Sequence, residues 1–257
     1  VSAEADEGVA ALNRRARVRA ATSQEIIETA RRLLIAEGSA AISLRAIARE
    51  MGMTAPALYR YFGSHEELIH HVVAGIFTEL SDYVEAAVAV TETALAQAGG
   101  VPGTPADATK IGLITACQAF RRWSVEHPAE FGMIFGSPLP GVDLYQEDPL
   151  MECGMRFGGI FLRLFVELWQ IKPFPVPSEE EIQPALLAQL KRYQAQLGTD
   201  LPLGVLQTFL RCWVSLYGTV TLEVFGHMRF ALEDTTPLFE LMLSDLARQL
   251  GLKYGHP

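Results

Sequence analysis

The stretch Ser43–His65, SLRAIAREMGMTAPALYRYFGSH, decides the fold. Ile42, Ile47 and Met51 are apolar, with Ala46 and Ala48 beside them, the spacing of a short helix packed on one side. Ser43 stands where an N-cap hydroxyl meets an orphan backbone N–H, and Gly52 where that helix has to end and turn. Thr54 then caps a second helix, with Pro56 in the first turn, where its missing N–H costs nothing. Leu58 and Phe62, four residues apart, face inward, and Gly63 stops the helix. Ser64-His65-Glu66-Glu67 reads as a capping box that starts the next one. Two short helices joined by a Gly turn are what lays one helix in the DNA major groove and braces it with the other.

Working outward, Thr54, Ala55, Ala57, Tyr59, Arg60 and Tyr61 face away from the core on a helix barely two turns long. Upstream, Arg14, Arg15, Arg17 and Arg19 fall within six residues, just before Thr22-Ser23-Gln24-Glu25, a second capping-box pattern. Residues 1–21 therefore read as a flexible basic arm able to follow phosphates or enter the minor groove. A first helix is expected from about Ser23 to Glu37, with Ile26, Ile27, Ala30, Leu33 and Leu34 on its apolar face. The helix-turn-helix domain then spans 22–70, and a larger body spans 71–257.

The net charge of −9 argues against a DNA partner until it is divided. Residues 12–72 hold nine Arg and six Glu, whereas residues 73–257 hold twelve Lys/Arg against twenty-one Asp/Glu. A basic head on an acidic body fits this asymmetry. The most apolar windows, 157–169 and 209–226, are interrupted by Arg163, Arg211 and Glu223, so they read as buried helices and no membrane association is expected. There is no apolar N-terminal run of the kind that opens a secretory signal. Cys117, Cys153 and Cys212 are scattered and odd in number, without CxxC spacing. Packing roles in a reducing cytoplasm follow, with no metal and no cofactor. The six histidines form no HExxH and no nucleophile motif, so an enzyme is not expected.

The body reads as all-helical. A fourth helix is expected from Ser64 to about Val90, and a loop over 95–105. Helices follow at 106–126 and 128–135, then a Pro/Gly-rich connection over 136–149. The last four are expected at 150–171, 178–197, 203–228 and 237–250.

On these residues the chain resembles the TetR family of transcriptional regulators. The pattern is Leu33-Leu34-Ile35-Ala36-Glu37-Gly38, Ser43, Ile47-Ala48, Met51-Gly52-Met53, Leu58-Tyr59, Tyr61-Phe62, Ser64 and Leu68. A weaker likeness joins Phe120–Phe131 and Trp213–Gly218 to the WHG-type C-terminal domain of one subgroup, with Tyr217 where the subgroup has His. The resemblance implies an all-α fold: a three-helix DNA-binding head and a larger helical-bundle body that binds a small ligand and forms a homodimer.

Carried over by position, the resemblance makes Ser43 and Arg45 contacts at the start of the second helix. Thr54, Ala55, Pro56 and Ala57 become the base-facing end of the recognition helix, with Tyr59 and Tyr61 reaching backbone or bases. His65 stands where the family has Lys, so DNA affinity there is expected to rise as pH falls. Ala55 and Ala57 are poor hydrogen-bond readers. Arg45, Arg60 and the Arg14, Arg15, Arg17 and Arg19 arm are therefore expected to carry much of the affinity.

The resemblance also places an effector cavity among the middle helices of the body. The candidates to line it are Phe77, Phe120, Trp123, Met133, Phe157, Phe161 and Trp169, which suit a hydrophobic or aromatic effector. The dimer surface it implies uses Leu206, Leu210, Val214, Thr221, Val224 and Phe225 of one helix. From the last helix come Leu238, Leu241, Met242, Asp245 and Leu246. The function expected is a ligand-responsive DNA-binding regulator, a repressor released from a near-palindromic operator. The competing reading is a helical sensor of hydrophobic ligands that has lost DNA binding. The Arg arm and the capped recognition helix speak against it.

Overall fold

A computed structural model of the chain describes residues 2–97, 105–136 and 149–254. Its regular structure is helical, with no strand among the described residues. In chain order the helices are α1 (Ser2–Glu37), α2 (Leu44–Glu50), α3 (Ala55–Leu58), α4 (His65–Gln97) and α5 (Pro105–Glu126). They continue with α6 (Pro128–Phe135), α7 (Pro149–Ile171), α8 (Pro184–Leu197), α9 (Leu203–Val224) and α10 (Thr236–Gln249). The chain divides into two compact units: a head unit, Val1–Glu79 with Ala129–Gly154, and a body unit, Leu80–Pro128 with Met155–Pro257. The division falls inside α4, and it assigns α6 to the head unit, although by sequence order α6 belongs to the body.

The largest departure from the sequence reading is the start of α1. The helix begins at Ser2 and not near Ser23, so the expected flexible arm is helical. Seven alanines between residues 3 and 21 give this segment high helix propensity. Thr22 confirms an interior position: its hydroxyl donates to the Val18 carbonyl at 3.0 Å, back along the helix, and caps nothing.

The loops expected over 95–105 and 136–149 lie mostly outside the described residues, although α4 itself reaches Gln97. α8 starts at Pro184 and not at Ser178, because Pro184 drives Gln183 into an extended conformation, ψ 130°. The Gln183 side chain then caps the helix, accepting from the Leu186 N–H at 2.9 Å. The residues before it form a turn closed by the Ser178 N–H on Glu181 at 2.7 Å. α9 ends at Val224, short of the expected Met228, and 225–231 continue as turns.

The head core is built from Ile26, Ala30, Leu34, Ile47, Leu58, Phe62, Leu68 and Ile76, all buried. These are the inward positions of the helix-turn-helix reading, now closed by α1 and the first half of α4. In the body unit, Phe120, Phe157, Phe161 and Trp213 form one aromatic cluster with ring centroids 5.2–6.5 Å apart. Phe165, Phe174 and Phe209 continue it edge-to-face. A separate apolar cluster joins Ile182, Leu190, Leu203 and Leu206.

Candidate nucleic-acid interface and apolar cavity

The local structure of the helix-turn-helix follows from its caps. The Ser43 hydroxyl accepts the Ala46 N–H at 3.1 Å and starts α2. At the other end Gly52 takes φ +64°, a backbone that a Cβ would strain, and the Met53 N–H returns to the Ala48 carbonyl at 2.8 Å. Thr54 is the N-cap of α3, yet its side chain makes no cap bond. Its carbonyl accepts the Ala57 and Leu58 N–H groups instead. α3 is a single turn, and residues 59–62 follow as tight turns, so the recognition element is shorter than its sequence suggests.

The capping box of α4 is half as expected. Ser64 accepts the Glu67 N–H at 3.0 Å, but Glu67 reaches back to the Gly63 N–H at 2.6 Å and not to that of Ser64.

Ser43, Arg45, Thr54, Pro56, Tyr59, Arg60 and His65 are exposed. Ala55, Ala57 and Tyr61 are half-buried. Arg14, Arg15, Arg17 and Arg19 are exposed along α1. Arg19 is nonetheless held by its own head. It donates to the Arg60 carbonyl at 2.8 Å, and its guanidinium stands 5.5 Å from the centroid of the Tyr61 ring. It therefore pins α1 to the turn after α3. His65 is likewise tied inward, its Nε2 lying 2.8 Å from the Ile42 carbonyl, so that nitrogen donates within the head.

A polar contact that the sequence did not single out sits at the far end of the head unit. Arg31 of α1 grips Glu79 of α4 through both terminal nitrogens, one bond measuring 2.9 Å. The same guanidinium reaches Glu130 of α6 at 3.2 and 3.3 Å. Glu130 is only 3% exposed, against 26% for the Arg31 side chain. The bond to Glu79 raises the Arg31 pKa, outweighing the burial that opposes its charge. Because 31, 79 and 130 are far apart in sequence and lie on three helices, no local pattern reveals them.

The body unit contains an apolar cavity of about 50 Å³ between α5, α7, α9 and α10. Ile114, Phe161, Phe165, Phe209 and Trp213 line it together with the thiols of Cys117 and Cys212. Burial pushes the Cys117 thiol up to about 12 and the Cys212 thiol up to about 11, so both are neutral near pH 7. Among the seven residues expected to line an effector site, Phe161 faces this cavity. Phe120, Trp123 and Phe157 are buried in the body unit, and Trp169 packs edge-on against Phe174 at 5.0 Å. Phe77 and Met133 belong to the head unit, where Phe77 meets Phe135.

α9 and α10 form a groove of about 340 Å³, with Leu222, Leu238, Leu241, Asp245 and Leu246 along it. Val214 and Leu241 are 67% and 53% exposed, and Phe225 is also exposed. Thr221, Val224 and Leu238 are half-buried. Three of the expected dimer residues turn inward. Leu206 is fully buried in the cluster with Ile182, Leu190 and Leu203, and Leu210 packs on that cluster. Met242 is likewise buried within its own unit. Helical periodicity could not separate the inner face of α9 from its outer face, since both are apolar.

Beside the groove, which Glu223 itself lines, Arg121 of α5 binds Glu223 of α9 at 2.6 and 2.7 Å and Thr236 of α10 at 2.9 Å. Its guanidinium also lies 5.0 Å from the Phe239 ring centroid. No described helix is long and apolar enough to cross a membrane, and no described cluster of His, Cys, Asp or Glu could hold a metal.

Two family descriptions match the chain: "Bacterial regulatory proteins, tetR family" over residues 26–72, and "Tetracyclin repressor-like, C-terminal domain" over residues 113–246. The chain is 29% identical over 204 residues to HTH-type transcriptional regulator Rv1816 of Mycobacterium tuberculosis and to Mb1846 of Mycobacterium bovis. Each alignment covers 79% of this chain and 80% of the relative. Among solved structures, SCO4313, assigned as a regulatory protein, superposes with a TM-score of 0.66 at 27% identity, covering 90% of this chain and 97% of that one. The C-terminal match alone spans more than half of the chain, and the N-terminal match falls on the capped helices α2 and α3. The chain therefore belongs to the TetR family, and it is a DNA-binding transcriptional regulator and not an enzyme.

Proposed function

We propose that the chain acts in the cytoplasm as a homodimeric repressor, bound to a near-palindromic operator and released by a small hydrophobic or aromatic effector. The observation that carries this is the outward row Ser43, Arg45, Thr54, Pro56, Tyr59 and Arg60, set on a head whose apolar side chains are buried. Ser43 keeps its hydroxyl proton for a phosphate while its oxygen caps α2. Ala55 and Ala57 can meet only thymine methyls, so Arg45 and Arg60 supply most of the hydrogen-bonding reach. Arg14, Arg15 and Arg17, presented on a helix, add phosphate contacts whose strength falls with salt.

One short recognition helix makes few contacts, so specific binding calls for two heads. The groove between α9 and α10, with Val214, Phe225 and Leu241 exposed beside it, is the surface that a second copy would cover. The effector acts by favouring one of two conformations, and it shifts DNA affinity only by its differential affinity for them. The head-unit contact of Arg31 with Glu79 and Glu130 ties the DNA-facing helix α1 to α4 and α6, the elements through which such a change would reach the head.

An electrophoretic shift with DNA from upstream of the protein's own gene tests the reading. Arg45→Ala is expected to lower operator affinity about tenfold or more, ~1.4 kcal/mol. Unchanged binding would remove Arg45 from the interface, and absence of any specific shift would favour the sensor that has lost DNA binding. A monomer at micromolar concentration in sedimentation would break the dimer model.

A further inference from the structure

The body cavity is small for an effector. Its volume of about 50 Å³ is well below the ~150 Å³ of an engineered cavity that just accepts benzene. A ligand must therefore displace part of the wall. Most of that wall is helix, held by its own backbone ladder. The exception is the end of α10, where Leu250 and Leu252 line the cavity and the chain leaves the helix.

Gly251 takes φ +64°, and the Leu252 N–H returns to the Ala247 carbonyl at 2.8 Å. Residues 251–254 then run as a strap without regular structure. Side chains of α5, α7 and α10 fasten it, Gln118 of α5 by a hydrogen bond to Tyr254. Lys172 of α7 donates to the Gly251 carbonyl at 3.1 Å, Lys110 of α5 donates to the Lys253 carbonyl at 3.3 Å, and the Tyr254 hydroxyl donates to Glu240 of α10. Exposed or half-buried side-chain bonds of this kind are a weaker hold than the continuous backbone ladder of a helical wall.

We propose that this cavity is the contracted form of a binding site for an uncharged apolar molecule, and that the strap 251–254 is the wall that yields to enlarge it. The proposal rests on the effector reading above and gives it a ligand class and a yielding wall. The absence of charge follows from the rim. Its cation, Lys110, is already engaged by the Lys253 carbonyl and by Asp107 at 3.5 Å. The remaining polar atoms of the lining are chiefly two thiols, which burial keeps protonated. Within the lining a carboxylate would meet only Lys110, already engaged, whereas an apolar body would replace Leu252 against Phe161, Phe165 and Phe209.

The test uses the full chain without DNA and two fluorescent probes, neutral N-phenyl-1-naphthylamine and its anionic relative 1-anilinonaphthalene-8-sulfonate. The neutral probe is expected to bind saturably at one site, at least fivefold more tightly than the anion. Ala247→Phe, which fills the cavity, is expected to weaken it tenfold or more. Lys172→Ala combined with Tyr254→Phe loosens the strap without touching the core, and it is expected to speed association at least fivefold. Bound probe is also expected to raise amide exchange across 251–254.

Equal affinity for the two probes, or binding unaffected by Ala247→Phe, would overturn the site. Unchanged association in the strap variant, or unchanged exchange at 251–254, would overturn the yielding wall. Operator release is scored separately. A probe that binds as described but leaves DNA bound would count against the effector reading and leave the cavity assignment standing.

Discussion

In the head unit, α1, α4 and α6 meet through a charged contact: Arg31 between Glu79 and a Glu130 that is almost completely buried. In the body unit, α5, α7 and α9 meet through Phe120, Phe157, Phe161 and Trp213. The two solutions respond differently to disturbance. An ion pair holds one geometry and fails abruptly when a partner is lost, because a charge is left without water or counter-ion. Aromatic packing is non-directional, and a neighbouring side chain can be replaced by a ligand of similar shape at small cost. The head unit joins three helices by a charged contact beside its apolar core, and the body unit joins three by an aromatic cluster beside its Arg121–Glu223 pair.

The sharpest way to break this contrast is to empty the aromatic cluster. Phe120→Ala is expected to cost about 3–5 kcal/mol in chemical denaturation. A cost below about 1 kcal/mol would show that the cluster is loosely packed. In the head unit, Arg31→Leu removes the cation that buried Glu130 shares with Glu79 and is expected to cost about 3 kcal/mol. The double variant Arg31→Leu with Glu130→Leu should recover much of that loss while weakening operator binding. Full recovery of both stability and binding would show that the charged contact holds no particular geometry.

A smaller effect is expected from Ser43→Ala, about 1 kcal/mol from the lost cap of α2, read as a lowered melting temperature. The smallest concerns the cavity wall. With their ionisation pushed up to about 12 and about 11, Cys117 and Cys212 stay protonated at pH 8.5, and iodoacetamide should label partly exposed Cys153 at least ~10 times faster. Buried Cys117 and half-buried Cys212 should label faster only as pH approaches those values, since only then does the thiolate form. Equal rates at pH 8.5 would mean that the strap opens often without a ligand.

Much of the head was legible because its signals are local. Ser43, Gly52, Gly63 and Ser64 mark helix ends through bonds to residues three or four positions away, and Pro56 marks one by its fixed φ. Ile47, Leu58 and Phe62 are buried where periodicity puts them. The start of α1 was misplaced because Thr22-Ser23-Gln24-Glu25 has the composition of a cap, and only the surrounding alanines show that the helix runs through it. The body was legible as a series of helices but not as a site. Phe161 and Phe157 stand four residues apart on α7, yet only Phe161 reaches the cavity. Leu206 and Val214 share an apolar helix, yet one is buried and the other exposed.

By itself the sequence determined that the chain is helical, where most helices begin and end, that the basic charge lies with the helix-turn-helix, and which family it joins. Caps, turns and periodicity act over a few residues, so they survive in one dimension. Only the tertiary structure decided that Arg31 meets Glu79 and Glu130, that Arg19 is held against Tyr61, and that residues 251–254 strap an apolar cavity. Each of these joins groups brought together by packing, and packing depends on side-chain volume and helix crossing, neither of which has a short-range signature in the chain.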